Sequence, residues 1–174
     1  MKQHDLPPSG TRGRRTAGRA QDDHVVDTYK RRKKLPEPTR CSNCGAIYHE
    51  GRWQWARGSS PPSVHEETCP ACHRIADKYP AGIVTLRDPM LAGHKPEIVA
   101  LARNLEAAEK GEHALNRIIA IEEPAENELV ITTTDIHLPR RIGEAVERAF
   151  HGHLKVHYDE GNYFVRVDWR REAE

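Results

Sequence analysis

The chain contains four cysteines, and they fall in two pairs, Cys41–Ser42–Asn43–Cys44 and Cys69–Pro70–Ala71–Cys72. Two residues between thiols let both sulfurs of a pair turn toward one ion, so each pair supplies half of a tetrahedron. The pattern predicts Zn2+ held by Cys41, Cys44, Cys69 and Cys72. Four thiolates leave no position for water or substrate, so such a centre builds structure and does not activate a nucleophile. Disulfides would require an oxidising compartment, and nothing in the sequence indicates export. Two redox pairs would need a thioredoxin-like context that is absent. Cys44 and Cys69 are 24 residues apart in the sense of intervening residues, slightly more than a ribbon needs, which predicts an enlarged loop.

That loop interleaves rings with cations: Tyr48, His49, Arg52, Trp53, Trp55 and Arg57. Aromatic faces stack on unpaired bases while guanidinium groups meet phosphates, so the segment suits an RNA surface. Trp53 and Trp55 equally suit the core of a small domain short of other hydrophobes. Further contact candidates are the run Lys30, Arg31, Arg32, Lys33 and Lys34, and the pair Arg140 and Arg141 at a helix start, where free N–H groups also favour phosphate. The plain alternative for the helix is a solvated face with Glu144 and Glu147 as partners. His151, His153 and His157 alternate about a turn, yet no acidic or cysteine ligand stands at a recognisable spacing beside them. His49, His65 and His73 are not needed as ligands, although one could hydrogen-bond to a metal-bound sulfur.

Positive charge is concentrated at the front. Residues 1–40 hold eleven Lys/Arg and five Asp/Glu, whereas the remainder holds sixteen against twenty-one. A basic arm ahead of an acidic body favours a polyanionic partner, and its plain alternative is a solubilising leader. No phosphate-binding GxxxxGK[ST], GxSxG, HExxH or kinase signature occurs. With every cysteine assigned to metal no thiol nucleophile remains, and the chain is expected not to be an enzyme. No secretory signal and no apolar run of about 20 residues is present. The expectation is a cytoplasmic protein with no membrane partner.

These residues need elements to position them. Residues 1–39, rich in Pro, Gly and charge, are expected to be a disordered basic arm. Residues 40–80 are expected to form the zinc-ribbon module. Residues 81–170 read as an α+β body. Ile83–Leu86 is β-branched and predicts a strand. Pro96 is expected to open a helix striped by Ile98, Leu101, Ala102, Leu105 and Ala108, and Gly111 to end it. Ile118–Ile121 and Leu129–Thr132 predict a hairpin. Thr134 or Asp135 is expected to cap a second helix with Leu138, Ile142, Ala145, Val146 and Ala149 as its buried stripe. Residues 154–158 and 163–169 predict a final hairpin. The order is that of a ferredoxin-like βαββαβ domain, with the last strand as an extra or edge strand.

The segment CSNCGAIYHEGRWQW, followed by CPACHRIADKYPAGIVTLRD, resembles the zinc-knuckle region of the large-ribosomal-subunit export adaptor family of archaea and eukaryotes. The stretch TTTDIHLPRRIGEAVERAFHGHLKVHYDEGNYFVRVDWR resembles that family's helix-then-hairpin segment. The likeness runs from about Cys41 to Trp169, and it extends to an uncharacterised bacterial group of this length. The family's upstream CxxC pairs have no counterpart in residues 1–40, so its shuttling role is not implied. What the resemblance implies is a metal-stabilised module that binds ribosomal RNA or the large ribosomal subunit, with the four cysteines as ligands and weaker support for Arg140 and Arg141. The reading from another class is a zinc-ribbon DNA-binding or regulatory adaptor, although no base-reading helix face is recognisable. A third reading is an enzyme with an unrecognised site among His137, His151, His153 and the acidic residues.

Overall fold

The computed structural model describes residues 26–58 and 64–172. Most of the expected arm, residues 1–25, and the loop tip at 59–63 lie outside them. The first part of the fold is a small four-stranded sheet: β1 (Thr39–Arg40), β2 (Ile47–His49), β3 (Arg52–Gln54) and β4 (His65–Glu66), in spatial order β3-β2-β1-β4. A two-residue turn, Glu50–Gly51, joins β2 to β3 with both residues at positive φ, the geometry that matches the twist of a tight hairpin. The Glu37 carboxylate accepts from both turn amides, at 2.8 and 3.3 Å. Helix α1 (Pro70–Asp77) follows, with Pro70 at its first position and the Cys69 side chain at its N-cap.

The body contains β5 (Gly82–Arg87), α2 (Leu91–Glu112), β6 (Ile118–Ala125), β7 (Glu128–Thr133), α3 (Leu138–Phe150), β8 (His153–Tyr158) and β9 (Val165–Arg170). This is the expected α+β succession. Alternation on β5, β7 and β9 buries Val84, Leu86, Leu129, Ile131, Val165, Val167 and Trp169 on one face. Helices α2 and α3 cover that face with Leu91, Ile98, Ala102, Leu138, Ile142 and Val146. Gly143 permits the close approach of α3, since a Cβ there would stand 2.5 Å from Val167 Cγ1 and 2.8 Å from Leu154 Cδ1.

The sheet order is β6-β7-β5-β9-β8, with β9 parallel to β5 and antiparallel to β8. The last strand, expected to be an extra or edge strand on a ferredoxin-like βαββαβ order, is not at the edge, and β8 does not lie beside β5 as that order requires. Instead β9 occupies the slot beside β5, and β8 is the edge. The burial explains the exchange: Val165, Val167 and Trp169 on β9 are fully buried while β8 is mostly exposed, so the more apolar strand takes the inner place.

Two helix boundaries also differ from expectation. Helix α2 begins at Leu91, so Pro96 lies inside it, and it runs through Gly111 to Glu112. Asp88 makes the earlier start possible. Its Oδ1 accepts from the Met90 amide at 2.9 Å, and its Oδ2 pairs with His94. Asp135 serves α3 as foreseen, with Oδ2 accepting from the amides of His137 and Leu138 at 2.7 and 2.9 Å.

The part of the arm that is described is not structureless. Tyr29 donates to the Asp77 carboxylate at 2.8 Å, Leu35 and Thr39 are buried, and Thr39 already belongs to β1. The anchor is Arg74 of α1. It is 3% exposed, pairs with Asp27 at 2.7 Å and lies 4.4 Å from the Tyr29 ring centroid. Composition alone hid this, because the partners come from beyond the arm.

Candidate metal centre and adjoining cleft

The four sulfurs come together. Ligand atoms of Cys41, Cys44, Cys69 and Cys72 all lie within 4.8 Å of one another, and all four cysteines are free. Cys44 Sγ and Cys69 Sγ are 3.8 Å apart. A tetrahedron with metal–sulfur bonds of about 2.3 Å has edges of roughly 3.8 Å, so this donor set fits a single metal ion. Among the described residues no other group of three or more His, Cys, Asp or Glu side chains is brought together in this way. A second ion at His151, His153 and His157 thus has no gathered ligand set.

Local structure aims the sulfurs. In the first pair, Gly45 at φ 77° closes the knuckle, with its amide bonded to the Cys41 carbonyl at 2.9 Å and the Cys41 amide to the Ala46 carbonyl at 2.7 Å. In the second, the Cys72 amide donates to Cys69 Sγ at 3.5 Å, as the start of a helix permits. The Cys69 amide crosses to Cys41 Sγ at 3.2 Å. Burial works against ionisation of Cys41, but backbone amides outweigh it and bring that thiol down to about 6. Burial, with the charges of the neighbouring sulfurs, pushes Cys69 up, and burial together with nearby Cys44 pushes Cys72 up against its hydrogen bonds with Arg117 and Cys69. The cysteines also form the module's small core with Ala46 and Ala71, joined by Ala114 of the body and flanked by Trp53, Trp55 and Leu115.

The sequence gives no sign of the cation that serves the sulfurs. Arg117, at the threshold of β6, is 6% exposed. Its Nη1 donates to Cys72 Sγ at 3.3 Å, and its Nη2 donates to Cys44 Sγ at 3.1 Å and approaches Cys69 Sγ at 4.0 Å. Its Nε donates to the Ala114 carbonyl at 2.8 Å. Burial opposes the charge of Arg117, yet the sulfurs of Cys44 and Cys72 outweigh it and raise its pKa. The place that a histidine could have taken beside a sulfur is taken by an arginine. Among the described residues the side chain that does so is Arg117. His65 instead faces Thr39 Oγ1 at 3.2 Å, and the His73 ring centroid lies 6.5 Å from that of Tyr29.

Beside this centre a cleft of about 1590 Å³ runs between the metal module and the body. It collects most of the contact candidates. Lys30, Arg31, Lys33, Arg52 and Arg57 line it with Trp53, Trp55 and Arg141. Arg32, Lys34 and Arg140 do not. Lys34 reaches Glu37 at 3.8 Å and Arg140 pairs with Glu144 at 2.7 Å along α3. Among the described residues Lys30, Lys33, Arg52 and Arg57 make no ion pair, whereas Arg31 meets Glu67 at 2.6 Å and Arg141 pairs with the buried Glu109. The tryptophans are half-buried. Trp53 packs edge-on against Tyr48 with centroids 5.6 Å apart. Trp55 donates to the Lys110 carbonyl and lies between Lys110 Nζ at 5.6 Å and Arg117 at 5.4 Å. Each ring thus combines core packing with a place on the cleft wall.

The cleft floor holds Asp135, 2% exposed, whose Oδ1 has no hydrogen-bond partner. Burial pushes its carboxyl up, against its two amide bonds and nearby His137 and His113. Burial, followed by the charges of Asp135 and Asp27, pushes the neighbouring Tyr163 phenol up to about 12. No described helix is long and apolar enough to cross a membrane. No protein-family model matches the chain, and neither curated proteins nor solved structures offer a similar one.

Proposed function

We propose that this is a Zn2+-stabilised RNA-binding protein, without catalytic activity, whose partner is ribosomal RNA in the large ribosomal subunit. The observation that carries the reading is the convergence of Lys30, Arg31, Lys33, Arg52, Trp53, Trp55, Arg57 and Arg141 on one cleft beside the four sulfurs. Cations that make no ion pair among the described residues attract phosphates, and half-exposed rings give bases a stacking surface. All-sulfur ligation favours zinc. The large subunit is drawn from the resemblance in the knuckle and hairpin segments.

The test is sedimentation of the zinc-loaded full chain with purified large subunits, beside direct binding to the isolated ribosomal RNA. Comigration that weakens as salt rises is expected, and Arg52→Ala with Arg57→Ala should lower affinity roughly tenfold. A chain that stays at the top of the gradient at every salt concentration and leaves the RNA unbound overturns the reading.

A further inference from the structure

We infer that Arg117 makes metal occupancy and the shape of the cleft a single equilibrium, acting as a positioning residue for the metal centre. The forked guanidinium reads both knuckles at once. Cys44 belongs to the first, and Cys69 and Cys72 to the second. No disulfide joins them. The segments before the two knuckles are tied by the Cys69-to-Cys41 amide bond, the short β1–β4 pairing, the Glu67 amide on the Arg40 carbonyl at 3.0 Å and the Arg40–Glu66 ion pair, and a shared ion would set the sulfurs themselves at the spacing this fork requires.

The other end of Arg117 is built into the body. Its amide donates to Thr134 Oγ1 at 2.9 Å, and its carbonyl accepts from the Thr134 amide at 2.9 Å. Its guanidinium also lies against the face of Trp55, a wall of the cleft. If the ion leaves and the knuckles part, a nearly buried cation loses its sulfur acceptors and keeps only the Ala114 carbonyl. Such a group does not stay where it is. Its departure releases Trp55 on one side and, on the other, the start of β6 where it pairs with the end of β7. The arrangement does not depend on what the cleft binds.

The experiment uses the full chain loaded with Co2+, comparing wild type with Arg117→Lys and Arg117→Leu. Two quantities are read: transfer of the ion to a chromophoric chelator, and the sulfur-to-cobalt charge-transfer band. Release from Arg117→Leu should be roughly tenfold faster, with a shifted band, and Arg117→Lys should fall between, since it keeps charge without the fork. Equal rates and identical spectra in a folded Arg117→Leu overturn the inference. Should that variant fail to fold, amide exchange of the zinc-loaded wild type before and after chelation decides. Faster exchange at Arg117 and Thr134 as well as in the knuckles supports the coupling. A change confined to residues 40–80 overturns it. Both readouts are independent of RNA, so they stand or fall apart from the binding reading.

Discussion

Asp135 joins a capping role to an uncomfortable charge. One carboxylate oxygen satisfies two amides at the start of α3, and the other is buried without a partner. Because burial raises its pKa in the folded state, ionising it costs more in the folded chain than in the unfolded one. The associated stability is fully present below the ordinary carboxyl range of about 4 and is lost as pH rises through the folded value. His113, His137 and Tyr163 are the titratable neighbours that share this field. Asp135→Asn keeps an oxygen for the amides and removes the ionisation. Its melting temperature relative to wild type should therefore climb between pH 4 and 7, and a fall over that range would refute the assignment. The contrast with the cysteines shows what a sequence can disclose at this scale. Cys41–Cys44 and Cys69–Cys72 were legible because each pair is local. Arg117 meets sulfurs 45 and 73 residues away, and Arg74 meets Asp27 across 47, so no local pattern marks either arginine.

Elements were legible wherever apolar periodicity alone decides them. The strands of the body stand close to expectation, and α3 buries Leu138, Ile142 and Val146 of its expected stripe but leaves Ala149 exposed, because alternating and helical spacing act within one segment. The order of β8 and β9 was not, since it depends on which strand gains more by lying beside β5. The start of α2 was missed because Asp88 and His94, outside the apolar pattern, extend the helix ahead of Pro96. Gly143 shows how tightly α3 is seated. Gly143→Ala would drive a Cβ into Val167 and Leu154 and should destabilise the chain by about 1–3 kcal/mol, the usual cost of overpacking. Denaturant unfolding measures this, and an unchanged midpoint would mean that α3 rides higher on the sheet than described.

Across the whole molecule, the basic run at Lys30–Lys34 is held in place by residues behind it. Breaking the Arg74–Asp27 pair with Arg74→Ala should cost about 3 kcal/mol, the low end for a buried pair, because Asp27 retains some contact with water. Trypsin should then cut at Lys30–Lys34 much faster, and unchanged cleavage would show that the arm is held elsewhere. The inner position of β9 also bears on how the protein is made. A nascent chain that has emerged as far as α3 already carries β5, β6, β7 and both helices of the body, yet one flank of β5 still lacks its partner. The body can close only after Val165–Arg170 leaves the exit tunnel, whereas all four cysteines emerge much earlier. Synthesis thus puts the cysteine cluster first and the sheet last, with an open β5 flank in between for other strands to capture.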